Sequence, residues 1–343
     1  MELFTLNQGS LHWKPDFCRK WTEIGSDPRQ LDPFACTPAW QLAYHDAFSP
    51  GHRLLIESDG KNLVAFTEFK DDRGRIYLLP IEHMWLSGCP VLGPQGILYL
   101  RSVLGKCPRI YQGRMPSLVI SGVKPDSLFE EELWRSLHGS FIFRVHPLAE
   151  QRAASLAGGF DGYLSRRSAN LRSKLKKAQR KAAGQSIVFS RHTPFSEKEA
   201  DMLYSRMLDV EQRSWKGIGK CGMLESPSKE FYQDMMRRLA LAGNARVMFA
   251  MHEGIDIGFI FGGMAKHVYR GQQFSYDASW KDFSIGNLLQ AEQILWLCEE
   301  GAVRYDMGMS GDPRMAYKIH WAEQKLMLRT FVLEPKHPYC LVN

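Results

Sequence analysis

Residues 245–278 read ARVMFAMHEGIDIGFIFGGMAKHVYRGQQFSYDA, three strand-like runs parted by turns at Glu253-Gly254 and Lys266-His267. Hydrophobic runs between such turn signals read as a hairpin followed by a third strand. The first half of the chain carries the same shape. HRLLIES (52–58), a turn at Asp59-Gly60, NLVAFTEF (62–69), a turn at DDRG (71–74) and RIYLLPI (75–81) repeat it, before a Gly/Pro-rich loop at 87–96. Gly60 and Gly254 lie 194 residues apart, and the following turns keep nearly that offset. Two copies of one α/β unit are expected.

Between the copies lies SRRSANLRSKLKKAQRKAAG (165–184), with eight basic residues and no acid. Leu164, Ser168, Leu171, Leu175, Ala178 and Ala182 recur at helical spacing, so the run reads as an amphipathic helix with a small apolar stripe and Gly184 at its end. The formal net charge of the 343-residue chain is +7, so these eight charges exceed the whole excess. A charge concentrated in this way points to a localised anionic partner, weighed evenly against a solvated face. Further helices are expected at 196–213, 228–242 and 286–300.

The length suggests about two domains. Hydrophobic content of 44% and charged content of 24% place the chain among soluble globular proteins. No apolar run approaches the roughly 18 residues of a membrane span. The N-terminus shows no secretory leader. The seven cysteines, Cys340 among them, are scattered and form no C-x-x-C pair, which favours reduced thiols in a cytoplasmic setting. The histidines fall into no metal-binding spacing, and neither G-x-S-x-G nor a Walker loop occurs, so metalloenzyme, hydrolase and NTPase readings fall away.

Four places carry candidate chemistry. In EQRSWKG (211–217), Glu211 is a candidate base and Trp215 and Lys216 candidate pocket residues; the plainer alternative is a helix end with an aromatic anchor. YDASWKDFSIGNLLQAEQI (276–294) runs from a strand end into a helix near Gly286, whose unpaired amides would suit a pyrophosphate; the alternative is a glycine serving close packing. VRYDMGMSGDPRMAYKIHW (303–321) delivers Asp306 on a short strand, followed by Tyr317, Lys318 and Trp321. The basic helix is the fourth.

In order, basic helix, SWKG, hairpin, YDA, S-x-G-x-L-L, strand-YD and YK-x-x-W resemble the CelD/BcsL-like acyltransferases of the GNAT superfamily, close to FemAB-like proteins. The likeness covers roughly residues 160–330. It implies an α/β fold of tandem GNAT-like domains, each a mixed, mostly antiparallel sheet flanked by helices. Residues 1–155 would be a degenerate copy, and 156–343 the acyltransferase domain beginning with the basic helix. The chain departs from the pattern at Ile285, where proline is common, and lacks the fuller Q/R-x-x-G-x-G/A signature.

The implied reaction is direct attack of a primary amine on an acyl-CoA thioester such as acetyl-CoA, without a metal. The acceptor would be a small molecule, an amino sugar or a precursor of polysaccharide or cell envelope. An acyl carrier protein or an aminoacyl-tRNA stays open as donor, and a non-catalytic binding module is a third reading. Freeing a lysine-like amine at pH 7 costs on the order of 4–5 kcal/mol but one of pKa nearer 8 only about 1 kcal/mol, so a strong base is essential only for the first kind, Asp306 ahead of Glu211. Backbone amides around Ser275, Tyr276 and Asp277 would polarise the carbonyl. Ser284, Ile285, Gly286 and Asn287, with Arg167 and Lys174, would hold donor phosphates. Tyr317 would protonate the leaving thiolate, and Lys318, Trp321, Trp215 and Lys216 would position the substrates.

Overall fold

In the computed structural model, residues 4–5, 15–27, 29–311 and 315–338 are described. The chain divides into two compact units, one of residues 1–150 and 327–343 and the other of 151–326.

In the first unit, β1 (Phe4–Thr5), β2 (Arg53–Ser58), β3 (Leu63–Lys70) and β4 (Ile76–Pro80) form an antiparallel meander. β5 (Val91–Leu92) adds to β3, and β6 (Ser117–Val123) lies parallel to β4. β7 (Phe141–Val145) pairs with the late strand β14 (Gln324–Pro335), which also pairs antiparallel with β6. Helices α1 (Pro15–Gly25), α2 (Pro38–Phe48), α3 (Gly96–Leu104), α4 (Cys107–Ile110) and α5 (Leu128–Leu137) belong to this unit. Phe66, Leu78, Ile97, Leu118, Phe331 and Leu333 meet in its core.

The second unit repeats the plan. β8 (Ala149–Ser155), α6 (Gly159–Ser165), α7 (Ala169–Ala183), β9 (Val188–His192), α8 (Glu197–Arg213), α9 (Trp215–Ile218) and α10 (Ser228–Leu241) lead into the stretch at 245–278. That stretch forms β10 (Ala245–His252), β11 (Ile255–Ala265) and β12 (Val268–Tyr276), paired antiparallel in sequence. Glu253 and Lys266 both take positive φ, as the hairpin turns require. After a 3-10 turn (Ala278–Phe283) and α11 (Ile285–Glu299), β13 (Arg304–Met309) returns parallel to β12, as β6 does to β4. α12 (Lys318–Trp321) closes the unit.

The fold is thus a mixed α/β architecture of mostly antiparallel strands flanked by helices. The units differ from the expected 1–155 and 156–343 division at the C-terminus. β14 follows the second copy in sequence, yet it packs Phe331 and Leu333 into the first core and pairs with β6. In the second unit, β8 holds the equivalent place beside β13.

The basic run also resolves into two pieces. Leu164 and Ser165 end α6, while Ser168 caps α7 by accepting from the Leu171 N–H. Leu171, Leu175, Ala178 and Ala182 are buried as the periodicity predicts. Six cysteines among the described residues are free thiols; Cys340 lies outside them. No helix among the described residues is long and apolar enough to cross a membrane.

Candidate active site

β12 keeps β11 along its length, but it keeps β13 only at Val268, Tyr269 and Arg270. Beyond Arg270 the two parallel strands part. A cavity of about 520 Å³ is lined there by Gly271 through Tyr276 on β12 and by Tyr305 and Met307 on β13.

The pairing register sets the chemistry of that edge. The Asp277 N–H donates to the Ile257 carbonyl at 2.9 Å. Antiparallel ladders alternate bonded and non-bonded pairs, so the backbone groups of Phe274 and Tyr276 face away from β11 toward the cavity. Lys216 Nζ accordingly reaches the Phe274 carbonyl at 2.8 Å.

Side chains alternate as well. An ideal Cβ on Gly286 of α11 would stand 3.2 Å from the rings of both Phe274 and Tyr276, so these rings face α11. Gln273 instead accepts from Lys216 Nζ at 2.9 Å and donates to the Tyr232 hydroxyl at 2.6 Å, toward α9 and α10. The cavity is therefore walled from both faces of the sheet.

A bulge adds to its polarity. Between Phe261↔Gln273 and Gly262↔Gly271 the register slips, leaving Gln272 as the extra residue. Gln272 Nε2 and Ser275 Oγ are buried without a hydrogen-bond partner in the protein, and both residues line the cavity, as does Gln290, which hydrogen-bonds Tyr305. Buried polar atoms are normally satisfied. Two on one cavity offer donors and an acceptor to a bound molecule.

α11 supplies a second polar feature. Ser284 takes φ +57° and makes no side-chain cap, and the first bonds back to its carbonyl come from Asn287 and Leu288. The N–H groups of Ile285 and Gly286 thus precede the helical ladder, beside the cavity wall made by Ser284, Gly286 and Asn287. Such a terminus favours an anion.

Two lysines, half-buried Lys216 and buried Lys318, enter the same space. Lys216 lies below its ordinary pKa because burial disfavours the ammonium, an effect opposed by Glu211. Lys318 donates to the Met309 carbonyl at 2.6 Å, and burial, with Arg270 and Lys216 nearby, brings it down to about 7. Tyr317 stacks edge-on against Phe274 with ring centres 5.3 Å apart, and burial pushes it up to about 12.

Trp215, Lys216, Ser275, Tyr276, Ser284, Gly286, Asn287, Tyr317, Lys318 and Trp321 are brought together as cavity wall. Six expected site residues are not. Asp306 is fully buried between the cavity-facing Tyr305 and Met307, so alternation turns it to the other face, where Arg304 pairs with it at 2.7 Å. Glu211 is fully buried and accepts from the Met223 N–H at 3.2 Å and the Ser214 hydroxyl at 3.5 Å, bracing the turn that carries Lys216. Neither expected base is among the residues that line the cavity.

Asp277 is held by Arg213 at 2.7 Å and caps the 3-10 turn through the Ser279 N–H. Ile285 packs into the core with Ala178 and Ala182. Arg167 is buried, pairs with Glu323, donates to the Trp321 carbonyl and lies over the Tyr163 ring. Lys174 stands exposed on α7, outside the cavity wall. Conversely, the sequence reading missed Gln272, Gln273, Gln290 and Lys281. An isolated glutamine or lysine carries no motif, and the bulge and the parted strands give Gln272 and Gln273 a cavity to face.

Residues 165–318 match the family model described as an acetyltransferase (GNAT) domain, which supports acyl transfer as the class of chemistry. No curated protein matches the chain in sequence. Among solved structures, a conserved protein of unknown function from Bacteroides thetaiotaomicron VPI-5482 has a TM-score of 0.64 at 11% identity, covering 97% of this chain and 100% of that one. FemX has a TM-score of 0.63 at 11% identity, over 94% of this chain and 97% of its own. L-PGS from Bacillus licheniformis has a TM-score of 0.54 at 14% identity, over 88% and 92%. At these identities the likeness is one of fold.

Proposed function

We propose that the second unit is an N-acyltransferase that moves an acyl group from an acyl-CoA thioester to a primary amine of a small molecule, amino sugar or cell-envelope precursor. The observation that carries this reading is the parted edge of β12 beside the uncapped start of α11. A pantetheine arm has two amides, which the outward backbone groups of Phe274 and Tyr276 would pair as a short extra strand. Its pyrophosphate would lie at the Ile285 and Gly286 amides. In this reading the first unit is a degenerate copy of the same fold.

The chemistry balances on this chain's own residues. The acceptor nitrogen attacks the thioester carbon, and the C–S bond breaks as the C–N bond forms. Lys216, two of whose N–H groups are held by Gln273 and Phe274, has a third for the carbonyl oxygen as negative charge develops. Lys318, largely neutral just above pH 7, takes the proton from the attacking amine. It then passes that proton to the thiolate, downhill because a thiol has a pKa of about 8.5. Tyr317 is a poor proton source for this step, since at about 12 it would give up its proton some three units uphill. It serves better as a hydrogen-bond donor that keeps its proton.

The test is release of free coenzyme A thiol from a panel of acyl-CoAs offered amino acids, amino sugars and aminoacyl glycans. Amine-dependent thiol release that Lys318→Met suppresses supports the reading. Absence of acyl-CoA binding by calorimetry would remove it.

A further inference from the structure

The charge of this protein sits largely on one element that the cavity does not use. α7 carries Arg172, Lys174, Lys176, Lys177, Arg180 and Lys181 and no acid in 15 residues. Its apolar stripe is buried, and Lys174, Lys176, Lys177, Arg180 and Lys181 are exposed. Among the described residues no carboxylate forms an ion pair with Lys174, Lys176, Lys177 or Arg180. Ala178 and Ala182 pack with Ile285 and Leu288, so the C-terminal half of α7 flanks the start of α11. Lys181 marks the junction. Its Nζ donates to the Asp282 carbonyl at 2.8 Å and lies 4.3 Å from the centre of the Phe283 ring. Lys281, in the same turn, lines the cavity. Lys174, Lys177 and Lys181 are spaced to share one face, so cations lead away from the cavity for about 10 Å along the helix.

Resting on the acyl-thioester reading, we infer that α7 is the docking surface for an acyl carrier protein, whose acidic helix lies along it while its phosphopantetheine enters at the start of α11. Three observations choose this occupant. The row of cations runs about 10 Å along α7, away from Lys281 at the cavity. The exposed positions of α7 include no bulky apolar residue to insert into a membrane and no aromatic to stack on a nucleic-acid base. The chain beyond the basic segment is close to neutral, whereas an RNA body spreads its phosphates over a wide surface. A short, dense, one-helix patch matches a short, dense, acidic helix.

The experiment measures binding of the full chain to three probes at 100 mM salt: octanoyl-[acyl carrier protein], octanoyl-CoA and an RNA acceptor-stem minihelix. Each is repeated with Lys174→Ala/Lys177→Ala/Arg180→Ala, which changes no cavity residue. The expected result is that the triple variant loses at least tenfold in affinity for the carrier protein and less than twofold for octanoyl-CoA. Octanoyl-CoA binding without carrier binding overturns the docking surface and leaves the thioester reading standing. Tight minihelix binding lost in the variant overturns it in favour of RNA. If neither thioester binds, the thioester reading itself has failed.

Discussion

Lys216 Nζ donates to the Phe274 carbonyl at 2.8 Å, which places an ammonium on the open edge of β12 where the reacting carbonyl would lie. Lys216→Met keeps most of the side-chain volume and removes the charge. It should lower kcat by about a hundredfold with little change in donor KM, the pattern of an interaction made mainly in the transition state. Steady-state kinetics with donor and acceptor varied separately check it; a change confined to KM would place Lys216 in ground-state binding instead.

Lys318 gives the reaction a pH dependence whose sign is fixed by its direction of shift. Its ammonium is inactive as a base, so kcat/KM should rise through pH about 7 and level above it. Lys318→Met should abolish that limb along with most of the rate.

The same group predicts a stability effect. A lysine lowered to about 7 in the folded protein binds fewer protons there than when unfolded, so it destabilises the fold fully below pH about 7 and less as pH rises toward its unfolded value of 10.5. Lys318→Met should therefore raise Tm more at pH 6 than at pH 9.5. Equal shifts by calorimetry at the two values would contradict the lowered pKa.

Asp306 and Glu211 should behave as structural groups. Asp306→Asn weakens a buried pair with Arg304 and should cost up to about 3–5 kcal/mol of stability. Glu211→Ala strands the buried Met223 N–H at a cost of about 1–3 kcal/mol. Urea midpoints measure both. For Asp306→Asn, specific activity per folded molecule should stay within a few-fold of the parent; a folded variant that has lost most of the rate together with the rise of kcat/KM with pH would return the base role to Asp306.

Gly286 bears on the donor. A valine there meets the Phe274 and Tyr276 rings that a bare Cβ already approaches to 3.2 Å. Gly286→Val should weaken acyl-CoA binding by about tenfold, or about 1.4 kcal/mol. Circular dichroism should show the fold retained; unchanged affinity would move the pyrophosphate away from this terminus.

Much of this was legible before the structure because turns and helix stripes are local. Glu253-Gly254, Lys266-His267 and the Leu171–Leu175–Ala178 stripe announce themselves within a few residues. The site was half legible. Gly286, Tyr317 and Lys318 stand in motifs near the cavity, but Asp306 is not in its wall, because a strand's two faces differ by one residue and a lone carboxylate does not reveal its face. Gln272 and Gln290 were invisible, since their place depends on where β12 and β13 separate, strands whose paired residues lie 36 positions apart. β14 escaped for the same reason: nothing local in QKLMLRTFVLEP names β6 as its partner.

That strand also imposes an order of events on synthesis. β6 is complete by Val123, but its partner residues Arg329 to Leu333 leave the ribosome some two hundred codons later. Until then the first unit exposes an unpaired strand edge and lacks Phe331 and Leu333 from its core. The second unit, contiguous from 151 to 326, faces no such wait. The N-terminal unit, translated first, is therefore the one that finishes folding last, reversing the usual progression along a nascent chain. A released chain that ends at residue 326 should hold a protease-resistant second unit and a protease-sensitive first one.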